Sequence, residues 1–185
     1  MMGNPCFSAL ADTILQEVHS ALSSVDPALV DGLAEDVTGA RRIFFAGAGR
    51  SRLMLSAMAM RLMHIGLTAH VVGEVTAPAI AAGDLLVVAS GSGRTPTIVT
   101  VAAKAKEAGA RVALITMDAL SSLANCSDRC ITLSQAAMCA SVQVGAAVFE
   151  QATMILGDAL VCMVAHRLGI ADVNGVMRQR HSNLE

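Results

Sequence analysis

The sequence predicts an α/β fold: a five-stranded parallel sheet in a doubly wound sandwich, with additional helices at the N-terminus. Hydrophobic segments of strand length alternate with longer segments of helical periodicity, and this order is typical of right-handed strand–helix–strand crossovers. The strand segments are also continuously apolar, as in Leu85-Leu86-Val87-Val88-Ala89, which is typical of strands buried on both faces. In such a fold, ligands bind at the carboxyl ends of the strands.

Each element is predicted from a local signal. An amphipathic helix is predicted over 8–23, and Asp26 and Pro27 have the N-cap and N1 preferences of a second helix over 27–39. The further strands are predicted at 42–46, 68–72, 85–89, 111–116 and 130–133. The further helices are predicted at 51–65, from Pro96 to about 108, at 120–126 and at 142–167, followed by a polar tail over 170–185. We interpret residues 1–185 as one domain, with N-terminal helices over 1–40 and a C-terminal tail over 170–185 that lies near the ligand site.

Composition narrows the class of protein. Hydrophobic residues make up 54% of the chain and charged residues 15%, with a mean hydropathy of +0.59. No stretch reaches about 18 uninterrupted apolar residues, so we expect no membrane contact and interpret the apolar excess as subunit interface. Met1–Pro5 lacks the basic start of a signal peptide, so we expect a cytoplasmic protein. A net charge of −2 without Tyr or Trp argues against nucleic acid as a partner.

The cysteines show no metal-binding or disulfide pattern. Five are scattered along the chain, and none has a metal-ligand spacing with histidine: Cys6, Cys126, Cys130, Cys139 and Cys162. We therefore expect reduced thiols and no metal site.

The segment Ser90-Gly91-Ser92-Gly93-Arg94-Thr95 has the features of a phosphate-binding loop. It follows an apolar strand and precedes a helix that begins at Pro96. Gly91 and Gly93 allow close approach of the backbone to an anion, and the first helical turn presents N–H groups. The hydroxyls of Ser90, Ser92 and Thr95 add neutral donors. The alternative is an ordinary strand-to-helix turn with a Ser/Thr cap.

A second glycine turn follows the first predicted strand. Gly47 and Gly49 suggest a dinucleotide fingerprint, but Leu53 stands where its third glycine belongs and no acidic residue closes the next strand. A sugar-phosphate pocket fits better, in which Ser51 offers a hydroxyl and Arg50 a charged planar fork. A surface or interface salt bridge is the alternative for Arg50.

Three further residues have proton-transfer chemistry. Glu150 lies in a strongly apolar helical segment, where an unpaired carboxylate has a raised pKa suited to a general base. The alternative is a core glutamate satisfied by an arginine. His64 lies on an apolar helix and His181 in the polar tail; taken alone, the first favours a core residue and the second a solvated one.

The sequence resembles the 6-phospho-3-hexuloisomerase family of the sugar isomerase (SIS) domain superfamily. The resemblance spans nearly the whole chain and is weakest over the first 40 residues. It rests on segments 47–51, 60–66 (Met-Arg-Leu-Met-His-Ile-Gly) and 71–74, the loop 90–95, the Phe149-Glu150 pair and the ending 180–185 (Arg-His-Ser-Asn-Leu-Glu). The loop by itself is specific only to the superfamily. Arg94 departs from the pattern, because the family usually has Glu there. This cation either strengthens the phosphate site or points to a neighbouring subunit.

The resemblance implies an activity without metal or organic cofactor. The family interconverts D-arabino-hex-3-ulose 6-phosphate and D-fructose 6-phosphate through a 2,3-enediol, in the ribulose monophosphate pathway of formaldehyde fixation. It implies Glu150 as the base and His64 or His181 as a second proton-transfer group. The phosphate would be held by Ser51, Ser90, Ser92 and Thr95, and the substrate lined by Gly49, Arg50, Gly91 and Gly93.

The resemblance also implies a homo-oligomer, with a tetramer favoured over a dimer and active sites at subunit interfaces. Two other functions stay open. One is a non-catalytic SIS-domain sensor of sugar phosphates, which needs neither Glu150 nor the histidines. The other is an isomerase of a different phosphosugar.

Overall fold

The computed structural model describes residues 6–136 and 141–184, so that Met1–Pro5, Cys139 and Glu185 lie outside the described residues. The strands of the described chain are β1 (Ile43–Gly47), β2 (Ala69–Val71), β3 (Leu85–Ala89), β4 (Arg111–Thr116) and β5 (Arg129–Thr132). Its helices are α1 (Phe7–Ser23), α2 (Pro27–Gly39), α3 (Gly49–His64), α4 (Pro96–Glu107), α5 (Ser122–Cys126), α6 (Ala147–Arg167) and α7 (Val173–Arg180). The predicted α/β class and five-stranded parallel sheet are confirmed.

The sheet has the strand order β2-β1-β3-β4-β5, and every pairing is parallel. From β1 the chain runs to β2 on one side and then through β3 to β5 on the other side. The direction in which strands are added therefore reverses between β1 and β3, and this position is the topological switch point of the sheet. Gly47 pairs with Ala89 in the register of these two strands, and the loops that follow them therefore start side by side. A crevice at this position is where ligands bind in doubly wound folds.

The core has two layers, one on each face of the sheet. Phe45, Val87 and Ile115 pack with residues of α1, α2, α3 and α6 on one face. Phe44 and Leu114 pack with residues of α4 and α5 on the other. Successive strand residues alternate between two buried faces, which explains why the strand sequences are continuously apolar.

Helix α6 is the one helix of the described chain that is long and apolar enough to cross a membrane by length and composition, with a mean hydropathy of 1.5 over 18 residues. It packs against α1, α2 and α3, and 61% of that window is buried inside the fold. The apolar character of α6, the helix that carries Glu150, is therefore explained by its position in the core of the α/β fold.

Two sequence predictions were wrong. Helix α6 begins at Ala147 and not at 142, because Glu17 of α1 accepts hydrogen bonds from Ser141 Oγ (2.8 Å) and Val142 N (2.9 Å), and Gly145 has a φ of +65°. The polar tail contains α7, whose first turn is capped by Asp172. That helix is at most half-buried along its length, so its sequence has little apolar periodicity.

The amino edge of the sheet is held by a buried carboxylate. Asp84, 2% exposed, accepts hydrogen bonds from Arg42 Nη2 (2.6 Å) and Arg41 Nε (3.1 Å). Burial alone raises the pKa of Asp84, but the hydrogen bonds from Arg42, Arg41 and the Ala81 N–H outweigh it and lower the pKa to about 2. This ion pair network lies at the end of the sheet opposite to the crevice.

Candidate active site at the switch point of the sheet

The loop 90–95 is anchored on the neighbouring segment that follows β4. The Gly91 carbonyl accepts a hydrogen bond from Thr116 Oγ1 (3.2 Å), and the Gly93 carbonyl accepts one from Leu123 N (3.1 Å). Gly93 has a φ of +62°, and a Cβ there would collide with Ser121 Oγ. Glycine is therefore required at Gly93 both by backbone conformation and by space.

The predicted phosphate-binding hydroxyls share this loop but differ in exposure. Ser90 is 4% exposed, and its Oγ lies 3.0 Å from Thr95 Oγ1. Ser92 is exposed, and its Oγ accepts a hydrogen bond from Arg94 N (3.2 Å). A hydroxyl that accepts keeps its own proton for another partner, so Ser92 can donate to a ligand.

Three helices begin around the crevice with uncapped first turns. In the part of the chain that the structure describes, no side chain caps α3, α4 or α6. Asp26, Ser121 and Asp172 cap α2, α5 and α7, whereas α1 also begins without a side-chain cap. Uncapped N–H groups and the helix dipole favour an anion, and α3 and α4 follow directly from the loops at the switch point.

Arg50 and Glu150 join two of these helix starts. Arg50 Nε lies 3.0 Å from Glu150 Oε2, with side chains 54% and 13% exposed. Glu150 therefore has the arginine partner that the sequence left as an alternative. The pair lies at the crevice, because Phe149, the residue before Glu150, packs against Gly91 of the loop. A Cβ added to Gly91 would lie 3.5 Å from Cδ1 of the Phe149 ring. Ser51, buried beside Arg50 in the first turn of α3, belongs to the same group.

The two predicted histidines lie together at the other end of α3. His64 is 3% exposed, and its ring stacks on that of His181 with centroids 5.5 Å apart. Burial lowers the pKa of His64 below its ordinary value, and the nearby Arg61 and His181 lower it further. Among the described residues, His64 Nδ1 has no hydrogen-bond partner. A cavity of about 460 Å³ opens beside it.

The structure thus separates the predicted site residues into two groups. His64 follows Arg50 by fourteen positions on α3, which is about 20 Å along the helix axis. The tail that carries His181 packs against the His64 end, so within one chain it lies far from the switch point. The first group, at the switch point, consists of Gly49, Arg50, Ser51, Ser90, Gly91, Ser92, Gly93, Thr95 and Glu150.

Sequence reasoning missed Asp118. This residue follows β4 and forms an ion pair with Arg94. The Arg94 hydrogen bond is the main cause that lowers the pKa of Asp118, and the Leu120 N–H adds to it. Its position just after the carboxyl end of a buried strand is a signal that could have identified it.

The fold and the hydroxyl-rich loop at the switch point define a SIS domain. A model of the SIS domain family matches residues 36–163, and the chain belongs to this family. Two relatives are named 3-hexulose-6-phosphate isomerase. The one from Mycobacterium gastri is 41% identical over 93% of this chain and 88% of that protein, and the one from Bacillus subtilis is 36% identical over 93% and 95%.

A solved structure shows the same similarity. It is a protein of Methanococcus jannaschii for which a molecular function of 3-hexulose-6-phosphate isomerase was inferred. It is 29% identical to this chain and has a TM-score of 0.81, with 95% of this chain and 97% of that chain covered. The family resemblance seen in the sequence is confirmed.

Proposed function

We propose that this chain is a 6-phospho-3-hexuloisomerase, which interconverts D-arabino-hex-3-ulose 6-phosphate and D-fructose 6-phosphate. The observation that carries the proposal is the Arg50–Glu150 pair. Its carboxylate lies beside the hydroxyl-rich loop 90–95 and the uncapped start of α4. A phosphate site with an adjacent base is what an isomerase of phosphosugars requires. The named relatives support the same substrate class.

Glu150 transfers the carbon-bound proton. Its carboxylate takes the proton from C2 of the hex-3-ulose, and the C–H electron pair forms the C2=C3 bond while the C3 carbonyl becomes an enediolate oxygen. The second proton-transfer group moves the O2 proton to O3, and Glu150 then returns its proton to C3 while the electron pair on O2 forms the C2 ketone. Arg50, 3.0 Å from the carboxylate, is positioned to stabilise the negative charge that develops on the enediolate.

The phosphate is held by neutral donors. The hydroxyls of Ser51, Ser90, Ser92 and Thr95, together with the N–H groups that begin α3 and α4, surround it. The backbones of Gly49, Gly91 and Gly93 line the approach. Binding energy at the phosphate fixes C2 and C3 against Glu150, although these carbons are remote from the phosphate.

The second proton-transfer group comes from another copy of the chain. His64 and His181 lie about 20 Å along α3 from Arg50, so their imidazoles reach a substrate only across a subunit interface. Exposed apolar side chains on α3 and α6, such as Met60 and Ile155, are suited to such an interface. We infer a cytoplasmic homo-oligomer, with a tetramer favoured, that acts in the ribulose monophosphate pathway of formaldehyde fixation.

Carbon NMR tests the reaction directly. The purified protein is incubated with fructose 6-phosphate that carries ¹³C at C3. The proposal predicts that the secondary-alcohol C3 signal diminishes while a ketone-derived signal appears, because the carbonyl moves from C2 to C3. A sugar phosphate that binds without any change of the ¹³C spectrum would favour the sensor hypothesis, and an aldose product would favour a different phosphosugar isomerase.

A further inference from the structure

The ion pair between Arg94 and Asp118 joins the loop 90–95 to the segment after β4. We propose that Asp118 is a positioning residue that sets the affinity of the phosphate site by holding the Arg94 guanidinium away from the substrate's phosphate. This inference rests on the phosphate-binding role proposed for the loop 90–95.

Arg94 is folded against its own loop. Its Nη1 pairs with Asp118 Oδ2 and also donates to the Ser92 carbonyl (3.3 Å), while its backbone N–H donates to Ser92 Oγ (3.2 Å). The Arg94 guanidinium therefore lies no farther than one side-chain length from the Ser92 hydroxyl. The Arg94 side chain is 56% exposed, so it can leave this position without breaking the core.

Asp118 is the fixed member of the pair. Its Oδ1 accepts a hydrogen bond from Leu120 N (2.9 Å), and its own N–H donates to Thr116 Oγ1 (3.2 Å). These local bonds hold the carboxylate at the end of β4 whether or not Arg94 is present. The arginine is therefore the partner that moves when the pair is broken.

The pair is electrically neutral as a unit. Arg94 is the one charged residue in the loop 90–95, and every other donor there is a hydroxyl or an N–H group. While Asp118 holds the guanidinium, a phosphate dianion meets mainly neutral donors. When the guanidinium is released, it offers the phosphate a planar pair of N–H donors and a full positive charge. Such a charged group makes stronger hydrogen bonds to phosphate than neutral groups do.

The proposal predicts effects of opposite sign for the two partners. Asp118→Asn keeps the bond to Leu120 N but releases Arg94, so the Kd for fructose 6-phosphate and for inorganic phosphate should fall by about fivefold. Arg94→Ala leaves the negative charge of Asp118 without its partner at the edge of the loop, so both Kd values should rise. Adding Arg94→Ala to Asp118→Asn should remove the gain. A pair that only braces the loop would raise Kd in both single variants.

Calorimetry on the full chain, with fructose 6-phosphate and inorganic phosphate as separate ligands at low and high salt, measures these effects. Asp31→Asn is the control, because it removes one carboxylate from an exposed pair with Arg167 that lies away from the loop. The gain in Asp118→Asn should shrink at high salt, and the control should match the wild type.

An unchanged or raised Kd in Asp118→Asn would overturn the inference, even if the wild type turns over its substrate. Conversely, a lowered Kd in a protein that proves to have no isomerase activity would leave the inference standing while the proposed function failed. If the wild-type chain bound neither fructose 6-phosphate nor inorganic phosphate, the inference and the proposed function would both be contradicted.

Discussion

Arg50 Nε lies 3.0 Å from Glu150 Oε2, and this contact joins the first turn of α3 to the first turn of α6 at the carboxyl edge of the sheet. The same helix α3 ends at His64, which stacks on His181. Glu150 and His64, the two proposed proton-transfer groups, thus lie near opposite ends of α3. Since about 20 Å separates them, the proposed mechanism requires an assembly of chains.

Glu150→Gln should lower kcat by about a thousandfold while leaving the Kd for fructose 6-phosphate within a few-fold of the wild type. The amide keeps the shape of the side chain but cannot accept the carbon-bound proton. Turnover and calorimetric binding are measured on the same preparation, with Glu35→Gln as a control carboxylate exposed on α2. Equal losses of binding and turnover would instead mean that Glu150 has a structural role.

Ser92→Ala should raise KM about fivefold with little change of kcat, because we propose that its exposed hydroxyl binds the phosphate and takes no part in proton transfer. Steady-state kinetics measures this, and Ser24→Ala, which removes a hydroxyl between α1 and α2, is the control. Combining Ser92→Ala with Ser90→Ala should raise KM further. An unchanged KM would remove the loop from the phosphate site.

Mixing two inactive variants should restore activity. If each site combines Glu150 of one chain with a histidine of another, Glu150→Gln and His64→Asn subunits complement each other after joint refolding. Random assembly in equal amounts gives about a quarter of the wild-type sites. The same experiment with His181→Asn identifies which histidine acts. Mixtures as inactive as their components, for both histidines, would place the whole site within one chain.

Asp84→Asn should destabilise the fold by about 2 kcal/mol at neutral pH. The pKa of Asp84 is about 2 in the folded chain against 3.8 for the free side chain, and a difference of this size corresponds to roughly that free energy. Because the folded pKa is depressed, the stabilisation is present above about pH 4 and is lost as the pH falls towards 2. Urea unfolding at several pH values measures it.

The control for Asp84→Asn is Asp31→Asn, whose exposed pair with Arg167 should contribute well under 1 kcal/mol. In the Asp84 variant, the free energy of unfolding should also depend less steeply on pH between about 4 and 2 than in the wild type. Equal stability of the two variants at neutral pH would show that the Arg41–Arg42–Asp84 network contributes nothing.

Much of the architecture was predictable because the signals are local. Strands such as 85–89, the capped start of α2 and the loop at Ser90 are each encoded within about ten residues, and the parallel order follows from their alternation. The loop could be placed at the carboxyl edge because it follows a strand directly.

The pairings across the fold were not predictable in the same way. Arg50 and Glu150 are a hundred positions apart, and their contact depends on how α3 and α6 pack. The same holds for Arg94 and Asp118, which meet only because β3 and β4 are neighbours. Helix α7 was missed because it buries too little apolar surface to leave a periodic pattern.

Proton exchange with solvent tests the central claim most directly. The purified chain is incubated with fructose 6-phosphate in deuterated water, and the position of the label is read by NMR. A 2,3-enediol route predicts deuterium at C3 together with a 3-ketose product, and Glu150→Gln should abolish both. Label at C1 would contradict the account, because it requires a 1,2-enediol and therefore an aldose–ketose isomerase.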